Sequence, residues 1–220
     1  MKRKSLFLAL ALSALAFGAL LFTACQSGPF SFTKAKSVDP VEMESLQIGF
    51  QKAFSREIEL RDCKVVWFPD TEDLAMSFRS GVVTYYQFWN TKQRAALKKA
   101  IEKYKNTLET NGFGDSAVGK RTFGSTKISA TWGLIANFGE LGKNRLASSA
   151  GSPLLYFGFT KIPAVEAPFF TITQASTLDE KAKQQGLTIY SEQVFMYFTP
   201  NAADAMLQRI SDAEIFRGIQ

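Results

Sequence analysis

Apolar residues recur at every second position through much of the chain beyond residue 41. A period of two puts successive side chains on opposite faces of an extended strand, so such runs predict strands with one buried face. Strands are predicted for residues 154–160, 169–174 and 194–198, and hairpins for residues 74–89 and 118–138. The alternating runs, joined by short turns, therefore favour a sheet that is largely antiparallel.

The alternation changes phase within residues 57–67. Ile58 and Leu60 alternate with charged residues, whereas the apolar positions beyond Asp62 are 63, 65 and 67. A change of phase within one strand moves the apolar side chains to its other face. This segment therefore predicts a β-bulge near Asp62.

Two segments have a helical spacing instead. One runs from Lys92 to Glu109, and the other follows Thr199 and Pro200, which suit the N-cap and the first position of a helix. No strand-helix-strand rhythm is present. The predicted fold class is α+β, a largely antiparallel sheet with one long amphipathic helix and a C-terminal helix.

The N-terminal residues predict export from the cytoplasm. Met1-Lys2-Arg3-Lys4 is cationic, and residues 6–22 are almost entirely Leu, Ala and Phe, which is the pattern of a secretory signal. We expect a signal peptide at residues 1–24, a tether at residues 25–40 and a single folded domain at residues 41–220.

The end of this signal resembles a known processing site. Phe22-Thr23-Ala24-Cys25 resembles the bacterial lipobox, with Phe22 where the family pattern usually has Leu. The resemblance implies that Cys25 is acylated and anchors the protein to the bacterial cell membrane or outer membrane, with the domain outside the cytoplasm. The alternative is cleavage that leaves Cys25 as a thiol, able to form a disulfide with Cys63.

Three segments of the domain also resemble uncharacterised lipoproteins of the bacterial cell envelope. They are Trp89 to Leu108, Pro168 to Gln174 (PFFTITQ) and Met196 to Pro200 (MYFTP). The resemblance implies an envelope lipoprotein and implies no activity.

The chain contains no histidine. This excludes Ser-His-Asp and Cys-His hydrolases, HExxH proteases and histidine-ligated haem or zinc. We expect no enzyme activity, no cofactor and no metal, and we expect Cys63 to be a small buried residue. A hydrolase that uses only carboxylates stays open as an alternative.

Two short segments have partial motifs. Gly114 to Lys120 has the glycine and lysine spacing of a phosphate-binding loop, but Arg121 stands where Ser or Thr must follow. Asp70 to Asp73 clusters three carboxylates without the spacing of a calcium loop, so a polar turn is expected.

The net charge of +6 is concentrated in two places. Lys2, Arg3 and Lys4 lie in the predicted signal peptide, and the helix from Lys92 to Glu109 has a net charge of +4, which leaves a net charge of −1 for the remainder of the chain. Its basic residues flank an apolar stripe and form a candidate membrane or partner surface: Lys92, Arg94, Lys98, Lys99, Lys103 and Lys105. No element for reading nucleic acid is recognisable, so no nucleic acid partner is expected.

These observations predict a membrane-anchored envelope lipoprotein with a non-enzymatic binding or structural role. The expected partners are the membrane, through the lipid anchor, and an envelope protein or an apolar ligand. The alternative function is a carrier of a lipid or another apolar ligand, because the 20 phenylalanines could line a cavity.

Overall fold

Ten strands form a single sheet in a computed structural model that describes residues 39–52, 55, 57–114, 121–133, 149–161 and 168–219. The predicted signal peptide, Cys25, most of the tether and residues 115–120 of the glycine-rich segment lie outside the described residues. The strands are β1 Val41–Lys52, β2 Glu59–Phe68, β3 Asp73–Ser80, β4 Val83–Trp89, β5 Gly124–Lys127, β6 Ser129–Gly133, β7 Ser149–Gly151, β8 Leu154–Thr160, β9 Phe169–Gln174 and β10 Val194–Phe198.

The sheet has the order β5-β8-β9-β10-β1-β2-β3-β4-β6-β7, and all of the described pairings are antiparallel. Although β5 and β6 belong to opposite ends of this order, only Ile128 separates them in sequence. The Ile128 N–H donates to the carbonyl of Pro153, which lies between β7 and β8. The sheet must therefore curl until its two ends adjoin at Ile128.

Three helices complete the described part of the chain: α1 Thr91–Glu109, α2 Glu180–Gln184 and α3 Pro200–Ile219. The Asn90 side chain accepts from the Gln93 N–H, and the Gln93 side chain accepts from the Asn90 N–H, so a capping box starts α1. None of the described helices is long and apolar enough to span a membrane.

The concave side of the sheet holds the main core. Leu97, Ile101 and Tyr104 of α1 and Met206 and Ile210 of α3 pack there against buried strand residues. The strand side chains are mostly large and apolar, which is why the interior is dense with rings in contact: Trp67, Phe78, Trp89, Phe157, Phe170, Ile172, Met196 and Phe198.

One polar pair crosses this interior. Gln87 of β4 donates from Nε2 to Oε1 of Gln174 of β9 at 2.7 Å, and both residues are fully buried. Four strands separate β4 from β9 along the sheet, so only the curl can bring these side chains together.

The predicted α+β class is wrong. The structure is mostly antiparallel sheet, with 46% of the described residues in strands. The prediction of one long amphipathic helix is also wrong. α1 and α3 have similar lengths, 19 and 20 residues, and both pack against the same sheet. The sequence pattern underestimated the strands, because β1 and β7 have irregular alternation.

Some of the individual strands and hairpins were predicted correctly and others were not. The β3–β4 hairpin and the strands β8, β9 and β10 are confirmed. The second hairpin is wrong, because β5 pairs with β8 and β6 pairs with β4. The bulge lies in β1, between Met43 and Leu46, whereas β2 pairs without interruption past Asp62.

Candidate functional site

A groove of about 390 Å³ lies where β1 loses one of its neighbours. β2 pairs with β1 from Val41 to Phe50, but β10 pairs only with Gly49 to Lys52. β10 ends at Phe198 because the chain then enters α3. The first half of β1 therefore faces α3 instead of a strand, and the groove fills the space between them.

One wall of the groove is apolar. It is formed by Ile58 and Leu60 at the start of β2 and by Phe169 and Tyr197, whose rings meet edge to face. Leu60 is 70% exposed, and Ile58 is 40% exposed. Large apolar side chains left open beside a concave surface are typical of a binding site.

Gly49 forms the floor between these side chains. It lies opposite Leu60 on β2 and opposite Tyr197 on β10. A Cβ atom at this position would lie 2.9 Å from Ile58 Cγ2 and 3.1 Å from Tyr197 Cβ, closer than such atoms pack. Glycine is thus the residue that lets Ile58 and Tyr197 approach from either side.

The opposite wall is polar and comes from α3. Arg209 donates from Nε to the Glu44 carbonyl at 3.1 Å, and its guanidinium pairs with the carboxylates of Glu44 and Asp212. These pairs leave one negative charge in excess beside the groove. Glu44 is the more open carboxylate, with 82% of its side chain exposed.

The hydroxyl of Tyr197 adds no reactive group to the groove. It donates to Oε1 of Gln51, and burial raises the pKa of Tyr197 to about 12. A phenol held in its neutral form is a poor nucleophile near neutral pH. Tyr197 therefore contributes its ring and a neutral hydroxyl to the groove.

The predicted basic surface of α1 is only partly present. Lys92, Lys98, Lys99 and Lys103 are exposed along the helix. Lys105 is instead paired with Asp204 of α3, with Nζ 2.6 Å from Oδ1, and this hydrogen bond raises the pKa of Lys105.

Arg94 corrects the prediction that placed it on this surface, because its side chain is buried. Its guanidinium lies 5.0 Å from the centre of the Trp67 ring and donates to Oε1 of Glu214 at 2.8 Å. It also donates to the carbonyls of Trp89 and Glu72. Five donors in a planar fork satisfy several acceptors at once, which explains how this charge is accommodated inside.

In the acidic segment, Asp70 to Glu72 lie in the turn between β2 and β3, and Asp73 is the first residue of β3. Glu72 has a φ of 52°, and its carboxylate pairs with Arg217 of α3 at 2.7 Å. Burial raises the pKa of Asp73, while a hydrogen bond from Thr71 and the charge of Arg94 oppose that rise. These carboxylates connect the turn to α1 and α3, as expected for a structural turn.

Other candidate groups are isolated. Cys63 is confirmed as a buried free thiol, and burial raises its pKa to about 12. Within the described residues, no cluster of three or more Cys, Asp or Glu side chains could hold a metal ion. Cys25 lies outside the described residues.

The sequence interpretation missed the groove, although it contained a signal. Ile58 and Leu60 alternate out of phase with the buried Cys63, Val65 and Trp67, and we interpreted the change as a bulge. In an unbroken strand, the same pattern means that two apolar side chains point away from the core. The wall of the groove that α3 forms could not be predicted from residues near Ile58 and Leu60, because it lies about 150 residues further along the chain.

Residues 40–217 match the sequence profile of a protein family described as "Uncharacterised Treponema protein". A relative from Treponema pallidum (strain Nichols), named "Uncharacterized protein", is 25% identical over 211 residues. The match covers 90% of this chain and 72% of the relative. No solved structure shows a significant match.

Proposed function

The chain belongs to the family of uncharacterised Treponema proteins, and we propose that it is a lipid-anchored protein of the bacterial cell envelope with a non-enzymatic binding role. The observation that carries the binding role is the groove between β1 and α3, where Ile58 and Leu60 stay exposed beside a concave surface. The proposed occupant is an apolar ligand or an apolar segment of an envelope protein.

The proposed anchor is Cys25, because it follows a basic stretch, an apolar run and small residues in the order of a lipoprotein signal. A diacylglyceryl group and an amide-linked chain on one residue would hold the protein firmly, because each buried CH₂ adds about 0.8 kcal/mol. Thirteen residues then join Cys25 to Asp39, and the fourteen Cα–Cα steps between them can span roughly 45 Å when extended.

The exposed lysines of α1 fit this arrangement. Val41, the first residue of β1, pairs with Trp67 of β2. Trp67 also pairs with Leu74 of β3, and Leu74 pairs with Trp89 of β4. α1 begins two residues after Trp89, and Lys92 is its second residue. The start of α1 therefore lies near the same strand ends as Val41, where the chain enters the domain. Cations near the entry of a lipid tether would meet anionic headgroups, which adds about 1 kcal/mol per residue close to the surface.

A carrier that encloses its ligand within the sheet is the weaker candidate. In the described residues, the concave side of the sheet is filled by aromatic side chains together with α1 and α3. The groove outside this core is therefore the better place for an apolar ligand. A carboxylate hydrolase finds no support in the acidic turn, whose Glu72 is engaged with Arg217.

Replacement of Cys25 by Ser tests the anchor. The wild-type protein should enter the membrane fraction with a mass that includes acyl groups, and the variant should lose that mass. The proposed anchor is wrong if the wild-type mass carries no acyl group, wherever the protein fractionates.

Native mass spectrometry of detergent-extracted protein tests the groove. We expect a bound ligand or protein in the wild type and its loss in Leu60→Asp. Val82→Asp is the matched control, because Val82 is 67% exposed but lies in the turn between β3 and β4. Absence of any bound species, or equal retention in both variants, contradicts the proposed site.

A further inference from the structure

We propose that the groove binds a second copy of this chain, and that the loop at residues 183–190 of that copy is the apolar segment that enters it. The inference rests on the proposed function, because it names the partner of the same groove. The 183–190 loop belongs to the connection between β9 and β10.

The first argument is the exposure of the 183–190 loop. All eight of its residues are exposed in succession, so the loop protrudes from the domain. Leu187, Ile189 and Tyr190 are 51%, 48% and 60% exposed. No other stretch of four described residues exposes three large apolar side chains. Single apolar residues are common on a protein surface, but such a cluster is typical of an interaction site.

The second argument is the order of the backbone that carries these side chains. The Asp179 N–H donates to the Ile189 carbonyl at 2.8 Å, and the Ser191 N–H donates to the Thr177 carbonyl at 2.8 Å. These bonds join the two sides of the connection below the loop. The apolar side chains are therefore held in solvent by an ordered base, which reduces the entropy lost when the loop binds.

The third argument is that the loop and the groove are separate surfaces of one molecule. The Ala150 N–H of β7 donates to Oδ1 of Asp179 at 3.3 Å, so the connection packs on the last strand of the sheet order. The groove lies beside β1, and none of its described lining residues comes from the 183–190 loop. Each copy therefore offers both surfaces, and its loop is free to enter the groove of a neighbour.

The fourth argument is complementarity of polarity and charge. The apolar side chains of the loop match the apolar wall of the groove. Lys183 is the single charged residue of the loop, which gives the loop a charge of +1. On the polar wall, the carboxylates of Glu44 and Asp212 outnumber the guanidinium of Arg209 by one. Opposite net charges therefore meet when the loop of one copy enters the groove of another.

The two surfaces differ, so the contact between copies is heterologous. Each copy gives its loop to one neighbour and receives the loop of another. Contacts of this kind close into rings or extend into filaments, whereas a contact between identical surfaces stops at a dimer. This difference provides a specific test.

Sedimentation of the full, detergent-extracted chain tests the proposal. At about 100 μM, well above the dissociation constant of a contact in the low micromolar range, the wild type should form assemblies larger than the monomer. Leu60→Asp damages the groove and Tyr190→Asp damages the loop, so each alone should be monomeric. An equimolar mixture should form dimers of twice the monomer mass, because one variant keeps its loop and the other keeps its groove.

Val82→Asp is the matched control, because Val82 is 67% exposed and belongs to neither surface. It should assemble like the wild type. All three positions are exposed, so each variant should keep the urea midpoint of the wild type. Dimers in the mixture would also show that both of its variants are folded.

The outcomes separate this inference from the proposed function. A monomeric wild type overturns the inference without reference to any variant. If that monomer carries a foreign ligand or protein that Leu60→Asp loses, the proposed function of the groove stands. Assemblies that persist in Leu60→Asp or in Tyr190→Asp overturn the inference, because they use another surface. A mixture that stays monomeric overturns it as well.

Discussion

The side-chain amide of Gln87 donates to that of Gln174 across the interior of the sheet, at 2.7 Å. Within the described part of the chain, Oε1 of Gln87 and Nε2 of Gln174 have no hydrogen-bond partner, and both residues are fully buried. The pair thus connects two distant strands and leaves two polar atoms unsatisfied inside an apolar core.

We expect each single substitution of this pair to be destabilising. Gln87→Met or Gln174→Met leaves the other amide buried without its partner, at a cost of about 1–3 kcal/mol in the free energy of unfolding. Gln87→Met/Gln174→Met removes both amides, so it should cost less than the two single changes together. Urea denaturation of all four proteins measures the coupling, and additive effects would show that the pair is not energetically coupled.

Arg94 should tolerate no replacement, even by lysine. Arg94→Met and Arg94→Lys both lose the planar fork that reaches Glu214, Trp89 and Glu72. We expect each to lower the free energy of unfolding by at least about 2 kcal/mol. Lys98→Met, at an exposed position of the same helix, should change it by less than about 0.5 kcal/mol. Similar effects at residues 94 and 98 would contradict the role of Arg94.

Gly49 should not accept alanine. Overpacking against Ile58 and Tyr197 is expected to cost about 1–3 kcal/mol in urea denaturation. Gly49→Ala/Ile58→Ala removes the closest atom, so it should cost less than the sum of its two parts. Gly114→Ala is the control, since no atom of the described residues beyond its chain neighbours lies within 4 Å of its Cβ position. Equal stability of Gly49→Ala and the wild type would disprove the close packing.

Cys63 should react only after unfolding. Because burial raises its pKa to about 12, almost no thiolate exists in the native protein at pH 8. Alkylation followed by mass spectrometry should show negligible modification in buffer and complete modification in urea. Stoichiometric labelling of Cys63 within minutes in native buffer would contradict this burial.

Asp179 should contribute stability that depends on pH. Burial tends to raise its pKa, but hydrogen bonds from the Ser149 side chain and from three backbone N–H groups outweigh burial and hold the pKa below its usual value. The stabilisation is therefore complete above the ordinary carboxyl pKa of about 3.9 and is lost as the pH falls through the lower folded value.

Asp179→Asn isolates this charge, since Asn caps helices about as well as Asp. The variant should be less stable than the wild type at pH 7, and the gap should close in urea denaturation as the pH is lowered below 4. A gap that stays constant down to pH 2 would exclude the charge as its source.

The sequence correctly predicted those elements that depend on interactions between neighbouring residues. The cap at Thr199 and the strands from Leu154 to Phe198 follow from neighbouring residues. The curl of the sheet does not, because it depends on strands that meet at Ile128 from opposite ends of the strand order. Two adjacent alternating segments favoured a hairpin, although each finds its partner elsewhere.

Site residues were harder to predict for a similar reason. A helical wheel places Arg94 at the edge of the apolar stripe of α1. Its side chain is buried only because Trp67 of β2 and Glu214 of α3 contact it. Likewise, Leu60 becomes part of a groove only when α3 covers the free edge of β1. Both features arise from contacts between residues more than twenty positions apart, which a periodic pattern does not encode.

The pairing of β1 with β10 has a consequence for the order of events in the cell. Gln51 and Tyr197 interact although 146 residues separate them, so a strand near the middle of the sheet lacks a neighbour until the last strand has been synthesised. Topologies rich in such distant contacts fold slowly. A nascent chain of this kind cannot complete its sheet until β10 has left the ribosome, so β1 keeps an open edge throughout synthesis.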